Sequence, residues 1–107
     1  MTECIQVVTT TAQKADAQQI AATLVQRRLA ACVQIVGPIE STYRWEGKIE
    51  TAAEWQCWAK TWRSLYPEVE EAIRQLHPYD QPEILAVAVV AGSRGYLAWL
   101  DQEVKRG

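Results

Sequence analysis

The chain has 107 residues, 49% of them apolar and 22% charged, with a formal net charge of −2. That is enough for one domain with a modest core, and the charge excludes an electrostatic footprint for nucleic acid or an anionic membrane. No apolar run approaches the roughly 20 residues that a spanning helix needs. Met1-Thr2-Glu3-Cys4-Ile5 also lacks the basic start and apolar stretch of a secretion signal. The sequence therefore predicts a cytoplasmic protein of a single domain over 1–107, with no nucleic-acid or membrane partner.

Glu3 to Thr11 is rich in β-branched residues and reads as a first strand. Asp16 to Arg28 reads as a helix, because Ile20, Ala21, Leu24, Val25 and Leu29 form a broad apolar stripe. Ala31 to Trp45 and Lys48 to Thr61 are again strand-like, and Glu46-Gly47 between them suits a two-residue turn, since Gly47 tolerates positive φ. A strand of this length spans about 46 Å at roughly 3.3 Å per residue. A globule of this size is only about 34 Å across, from a radius of gyration of about 13 Å. The hairpin must bend, overhang the domain, or both. Gly37-Pro38 supplies the bend, and the overhanging tip carries Tyr43, Trp45 and Ile49. Apolar surface of that kind marks a protein contact, so the sequence predicts an oligomer.

Ser64 is a candidate N-cap for a second helix, with Pro67 in its first turn. Leu65, Val69, Ala72, Ile73 and Leu76 form its apolar face, and Pro78 stops it. Ile84 to Ala91 is a continuous apolar run, which predicts a central strand buried on both faces. Tyr96, Leu97, Leu100 and Val104 mark a C-terminal helix, with Lys105 and Arg106 near its negative end. Tyr96 and Trp99 should pack that helix onto the body or onto a neighbour. The order βαββαβ plus a terminal helix predicts an α+β, ferredoxin-like domain, an antiparallel sheet with its helices on one face. Trp55, Trp58 and Trp62, spaced by three and four, run against this reading by imitating a helical stripe. Cys4, Cys32 and Cys57 each fall in a strand and read as buried, reduced thiols.

Six blocks occur in order: Leu29-Ala30-Ala31-Cys32-Val33, Tyr43-Arg44-Trp45-Glu46-Gly47-Lys48-Ile49, Lys60-Thr61, Leu76-His77-Pro78-Tyr79, Pro82-Glu83-Ile84 and Tyr96-Leu97-Ala98-Trp99-Leu100. Over nearly its whole length the chain resembles the CutA divalent-cation tolerance family. The resemblance implies a ferredoxin-like protomer, a tight homotrimer with a PII-like core, and an association with tolerance of copper and other divalent metals. It also decides residues 52–63 in favour of a strand. Some bacterial relatives place copper ligands at a Cys ending the first strand and at a His before the matched one. Here those places hold Thr9 and Leu76.

His77, the single histidine, reads either as a Cu(II) ligand or proton carrier, or as a helix C-terminal residue favoured by the dipole. One imidazole needs further donors for a tight metal site, and a trimer would have to supply them. Glu83 with His77 and Tyr79 forms either an acid–base or ligand cluster on one loop, or an edge-of-core carboxylate paired with Lys60 or another basic residue. Lys60 lies in an apolar strand and demands a partner. Tyr43, Trp45, Glu46 and Lys48 at the tip read as subunit-contact residues in preference to a ligand cage, because aromatics are enriched where surfaces bury. Lys60, Tyr79, Glu83 and Trp99 join them as candidates for an intersubunit cleft or interface.

The leading expectation is a homotrimer associated with divalent-metal tolerance, not an enzyme, requiring no cofactor and binding Cu(II) or another divalent cation weakly if at all. The second is a PII-like sensor that takes a small ligand in clefts between protomers. The third is an enzyme using His77, Tyr79, Glu83 and Lys60. No glycine-rich phosphate loop and no Cys-His metal spacing is present in the sequence.

Overall fold

A computed structural model describes residues 2–105. Strand β1 (Cys4–Thr11) leads to helix α1 (Lys14–Gln26), and strands β2 (Cys32–Trp45) and β3 (Lys48–Trp62) form the hairpin. A 3-10 turn over Arg63–Leu65 precedes helix α2 (Tyr66–Leu76), then come strand β4 (Ile84–Ala88) and helix α3 (Arg94–Glu103). The sheet order is β2-β3-β1-β4 with every pair antiparallel, the ferredoxin-like arrangement that the element order predicts.

Strand alternation sorts the sheet into two faces. Ile5, Val7, Thr9 and Thr11 of β1 stand opposite Thr61, Ala59, Cys57 and Trp55 of β3. Ile5, Val7, Cys57 and Ala59 join Ile20 and Leu24 of α1, Val69 and Ile73 of α2, and Leu100 of α3 in one core. Burying each large side chain there stabilises the fold by about 1.5–3 kcal/mol. Helix α1 ends where Arg28 takes a positive φ of 58°, and the Leu29 N–H then closes on the Leu24 carbonyl at 2.9 Å. The Thr61 hydroxyl donates to the Leu29 carbonyl at 2.6 Å, fixing that corner to β3.

The hairpin overhangs as its length requires. Pairing of β3 with β1 stops at Thr11 and Trp55, whereas pairing with β2 continues to Trp45 and Lys48. The tip is thus a two-stranded ribbon, and the molecule measures 45 Å by 25 Å by 21 Å. Glu46 and Gly47 both carry positive φ, 48° and 80°, as a tight two-residue hairpin turn demands. The register shifts between Val36 and Ile39, around the cis Gly37-Pro38 bond. Gly37 is required there: a Cβ on it would lie 2.6 Å from the Trp55 indole. Trp55 and Trp58 occupy opposite faces, as a strand places residues three apart.

Three expectations change. Strand β4 is not central but an edge strand, pairing only with β1 among the described residues, and Leu85 (59% exposed) and Val87 are open to solvent. Its apolar run reflects surface that its own chain does not cover. Ser64 is not an N-cap, because it sits within the 3-10 turn, and Leu65 occupies the cap position without a side-chain bond. Cys4 and Cys57 are buried free thiols, but Cys32 is only half-buried, on the less covered strand β2. Arg106 lies outside the described residues. Among those described, no helix is long and apolar enough to cross a membrane.

Candidate functional site

Beyond the end of β1, the overhanging ribbon and the loop between α2 and β4 enclose a groove of about 840 Å³. Tyr43, Trp45 and Glu54 come from the ribbon; Tyr79, Asp80 and Glu83 come from the loop. Ribbon register puts Tyr43 and Trp45 on the same face as Glu54, since Ile39 pairs with Glu54, Tyr43 with Glu50 and Trp45 with Lys48. The loop is held by its own chemistry. Pro78 ends α2, Pro82 is buried, and the Tyr79 hydroxyl donates to Glu54 Oε2 at 3.3 Å, across the groove. Burial pushes the Tyr79 phenol above its ordinary pKa, and the negative charge of Glu54 pushes it further, with smaller contributions from Tyr43 and Asp16.

His77 sits behind this loop, only 8% exposed. Its backbone caps α2, donating to the Ile73 carbonyl at 2.9 Å. The Tyr79 N–H donates to Nδ1 at 3.1 Å, so Nδ1 carries the lone pair. Nε2 therefore carries the hydrogen and donates it to the Thr10 carbonyl at 2.7 Å. The Tyr79 ring lies against the imidazole, with centroids 4.8 Å apart. Both nitrogens are committed, and the imidazole pins the loop to β1.

This arrangement does not fit Cu(II) within one chain. A metal needs an imidazole lone pair, and the one present accepts a backbone hydrogen bond. Thr9 and Leu76 offer no substitute: Leu76 is aliphatic, and the Thr9 hydroxyl is fully buried without a hydrogen-bond partner. Among the described residues no group of three or more His, Cys, Asp or Glu is placed to hold a metal ion.

The groove unites Tyr43, Trp45, Tyr79 and Glu83 but leaves the other candidates apart. Glu46 occupies the turn and Lys48 faces Trp45 across the hairpin. Trp99 lies on α3 beside Tyr96, with ring centroids 5.5 Å apart. Lys60 does not pair with Glu83. Lys60 stands opposite Gln6, which stands opposite Val87, so Glu83 is two strands across and four residues along. That separation is about 16 Å at standard strand spacings. Lys60 places its ammonium 5.5 Å from the Tyr96 ring centroid, a cation–π contact that answers its need for a partner. Sequence reasoning missed Glu54 and Asp80. Glu54 interrupts the apolar Ala52-Ala53-Trp55 stretch, which was the available signal, but only the register places it opposite the loop.

The model of the family described as CutA1 divalent ion tolerance protein matches residues 5–103. A protein named divalent-cation tolerance protein CutA from Thermus thermophilus is 43% identical over 86 residues, 80% of this chain and 84% of that one. Protein CutA, chloroplastic, from Arabidopsis thaliana is 39% identical over 101 residues, 94% of this chain but 56% of that protein. The crystal structure of CutA from Xylella fastidiosa superposes with a TM-score of 0.94 at 38% identity, covering 97% of this chain and 100% of that one.

Proposed function

Because this chain belongs to the CutA1 divalent ion tolerance family, we propose that it acts in divalent-cation tolerance as a non-catalytic homotrimer in the cytoplasm, without a resident metal. One observation carries the assembly. Strand β4 presents an unpaired edge among the described residues, and its apolar run continues through Val90, which is 70% exposed. The hairpin tip adds Trp45 (61% exposed) and Ile49 (69% exposed). An open apolar edge is an aggregation hazard unless something covers it. A second copy brings both a long ribbon and an edge of its own. The reduced thiols Cys4, Cys32 and Cys57 suit a reducing compartment.

Sedimentation tests this reading. A trimer is expected, with Leu85→Lys and Trp45→Ala shifting it toward smaller species while circular dichroism keeps the protomer's secondary structure. Folded wild-type monomer at micromolar concentration would overturn it.

A second reading, a sensor that takes a small ligand in its clefts, is favoured by the groove itself. Its volume lies within the roughly 300–1,000 Å³ usual for ligand sites. The enzymatic reading draws less support. Lys60 is remote from Glu83, and the His77 ring has both nitrogens engaged in hydrogen bonds to the backbone.

A further inference from the structure

The groove carries one sign of charge, and the other end of the chain carries its opposite. The carboxylates of Asp80 and Glu83 stand beside Tyr43 and Trp45, and no lysine, arginine or histidine is among the lining residues. Neither carboxylate makes an ion pair among the described residues. Arg94 is the first residue of α3, and it too is exposed and without an ion pair among the described residues. That is an unfavourable place for a cation, because the N-terminal end of a helix carries partial positive charge. Exposed apolar side chains flank it, Val90 before and Tyr96 and Trp99 after. Helix α3 docks by the start of β1, where the Trp62 indole, opposite Cys4, donates to Asp101 at 2.8 Å. The groove lies beyond the other end of β1, about 25 Å along at roughly 3.3 Å per residue.

We propose that the groove receives a second copy of this chain, whose Arg94 enters between Asp80 and Glu83 while its Tyr96 and Trp99 cover Tyr43 and Trp45. The proposal rests on the homotrimer reading above and names the two surfaces that mate. A socket at one end of the chain and a plug at the other make a head-to-tail contact, which closes into a ring where the rotation permits. The residue types suit the task. A planar guanidinium bonds carboxylates through paired N–H groups and stacks on aromatic rings. Arginine, tyrosine and tryptophan are also the side chains that dominate binding energy at protein interfaces. The apolar edge of β4 runs through Val90 into α3, so the plug is continuous with surface that the assembly has to cover. The Tyr79–Glu54 hydrogen bond and the His77 clamp hold the socket's loop in place beforehand, so less ordering is needed on association. Seated there, the second copy takes the space that the small-ligand reading leaves to a metabolite.

The test is sedimentation of the full chain over a concentration series, in enough urea to bring dissociation of the wild type into range. Arg94→Glu puts a further carboxylate into the acidic groove and should raise the midpoint concentration of dissociation about tenfold or more. The same change favours α3 itself, since an acidic residue suits the first turn of a helix, so a damaged protomer is not the cause of weaker assembly. Circular dichroism without urea should match wild type. Reversing the socket in the same chain, with Asp80→Lys and Glu83→Lys added to Arg94→Glu, should restore assembly. An Arg94→Glu chain that dissociates no more readily than wild type would overturn the contact and leave the trimer standing. Weakening that the reversed socket does not restore would overturn the groove as the seat of Arg94. Folded wild-type monomer at micromolar concentration without urea would overturn the trimer reading and this contact with it.

Discussion

Nε2 of His77 lies 2.7 Å from the carbonyl oxygen of Thr10, joining the end of α2 to β1 across 67 residues of sequence. With Nδ1 accepting from the Tyr79 N–H, the ring acts as a two-ended backbone clamp. His77→Ala removes both bonds and leaves a buried carbonyl and a part-buried N–H without these partners. Leaving such a group unsatisfied costs about 1–3 kcal/mol. The expected outcome is a loss of that size in chemical denaturation. In Cu(II) calorimetry wild type and variant should match, with no saturable binding through the imidazole. A wild-type isotherm that vanishes in the variant would reinstate His77 as a ligand.

Thr9 supplies the complementary case. Its hydroxyl is buried without a hydrogen-bond partner, facing the core side of the sheet beside Cys57. Thr9→Val keeps the shape and removes the unsatisfied group. The variant should be more stable by about 1 kcal/mol, read as a higher melting temperature. A drop in stability would mean that the hydroxyl is satisfied in solution.

Gly37 lies where the ribbon leaves the sheet. A Cβ there would meet the Trp55 ring at 2.6 Å and the Glu54 carbonyl at 3.2 Å. Gly37→Ala should therefore displace Trp55 and destabilise the protein by about 1–3 kcal/mol, the usual range for overpacking. Trp55 fluorescence against a Trp55→Tyr control, together with the denaturation midpoint, measures both effects. An unchanged midpoint would show that the ribbon tolerates a different exit angle.

Burial pushes the Cys57 thiol up from 9.0 to about 11. The unfolded chain releases this proton near pH 9 while the folded chain keeps it to about pH 11. The folded state binds more protons in that window, so this contribution to stability is intact below pH 9 and fades as pH rises through it. Denaturation midpoints measured at several pH values should decline more steeply between pH 9 and 11 for wild type than for Cys57→Ala. Parallel curves would show that the thiol ionises normally. The native thiol should also resist alkylation, since the thiolate is the nucleophile.

Local chemistry was legible in the sequence because its causes are local. Positive φ at Glu46 and Gly47 follows from a two-residue turn, and the length of the strands forces the overhang. The stripe through Val69, Ala72 and Ile73 sets the buried face of α2. Six ordered blocks were enough to place the chain in its family, and the family match confirms that placement. Hydrophobic pattern reports that a surface avoids water but not what covers it. The run at Ile84–Ala91 therefore read as a central strand, and only the strand order made β4 an edge. Side-chain partners were equally invisible. Register sent Lys60 to Tyr96 instead of Glu83, brought Glu54 opposite Tyr79, and committed both nitrogens of His77. Those contacts join residues far apart in sequence, so distance and direction in three dimensions decided them.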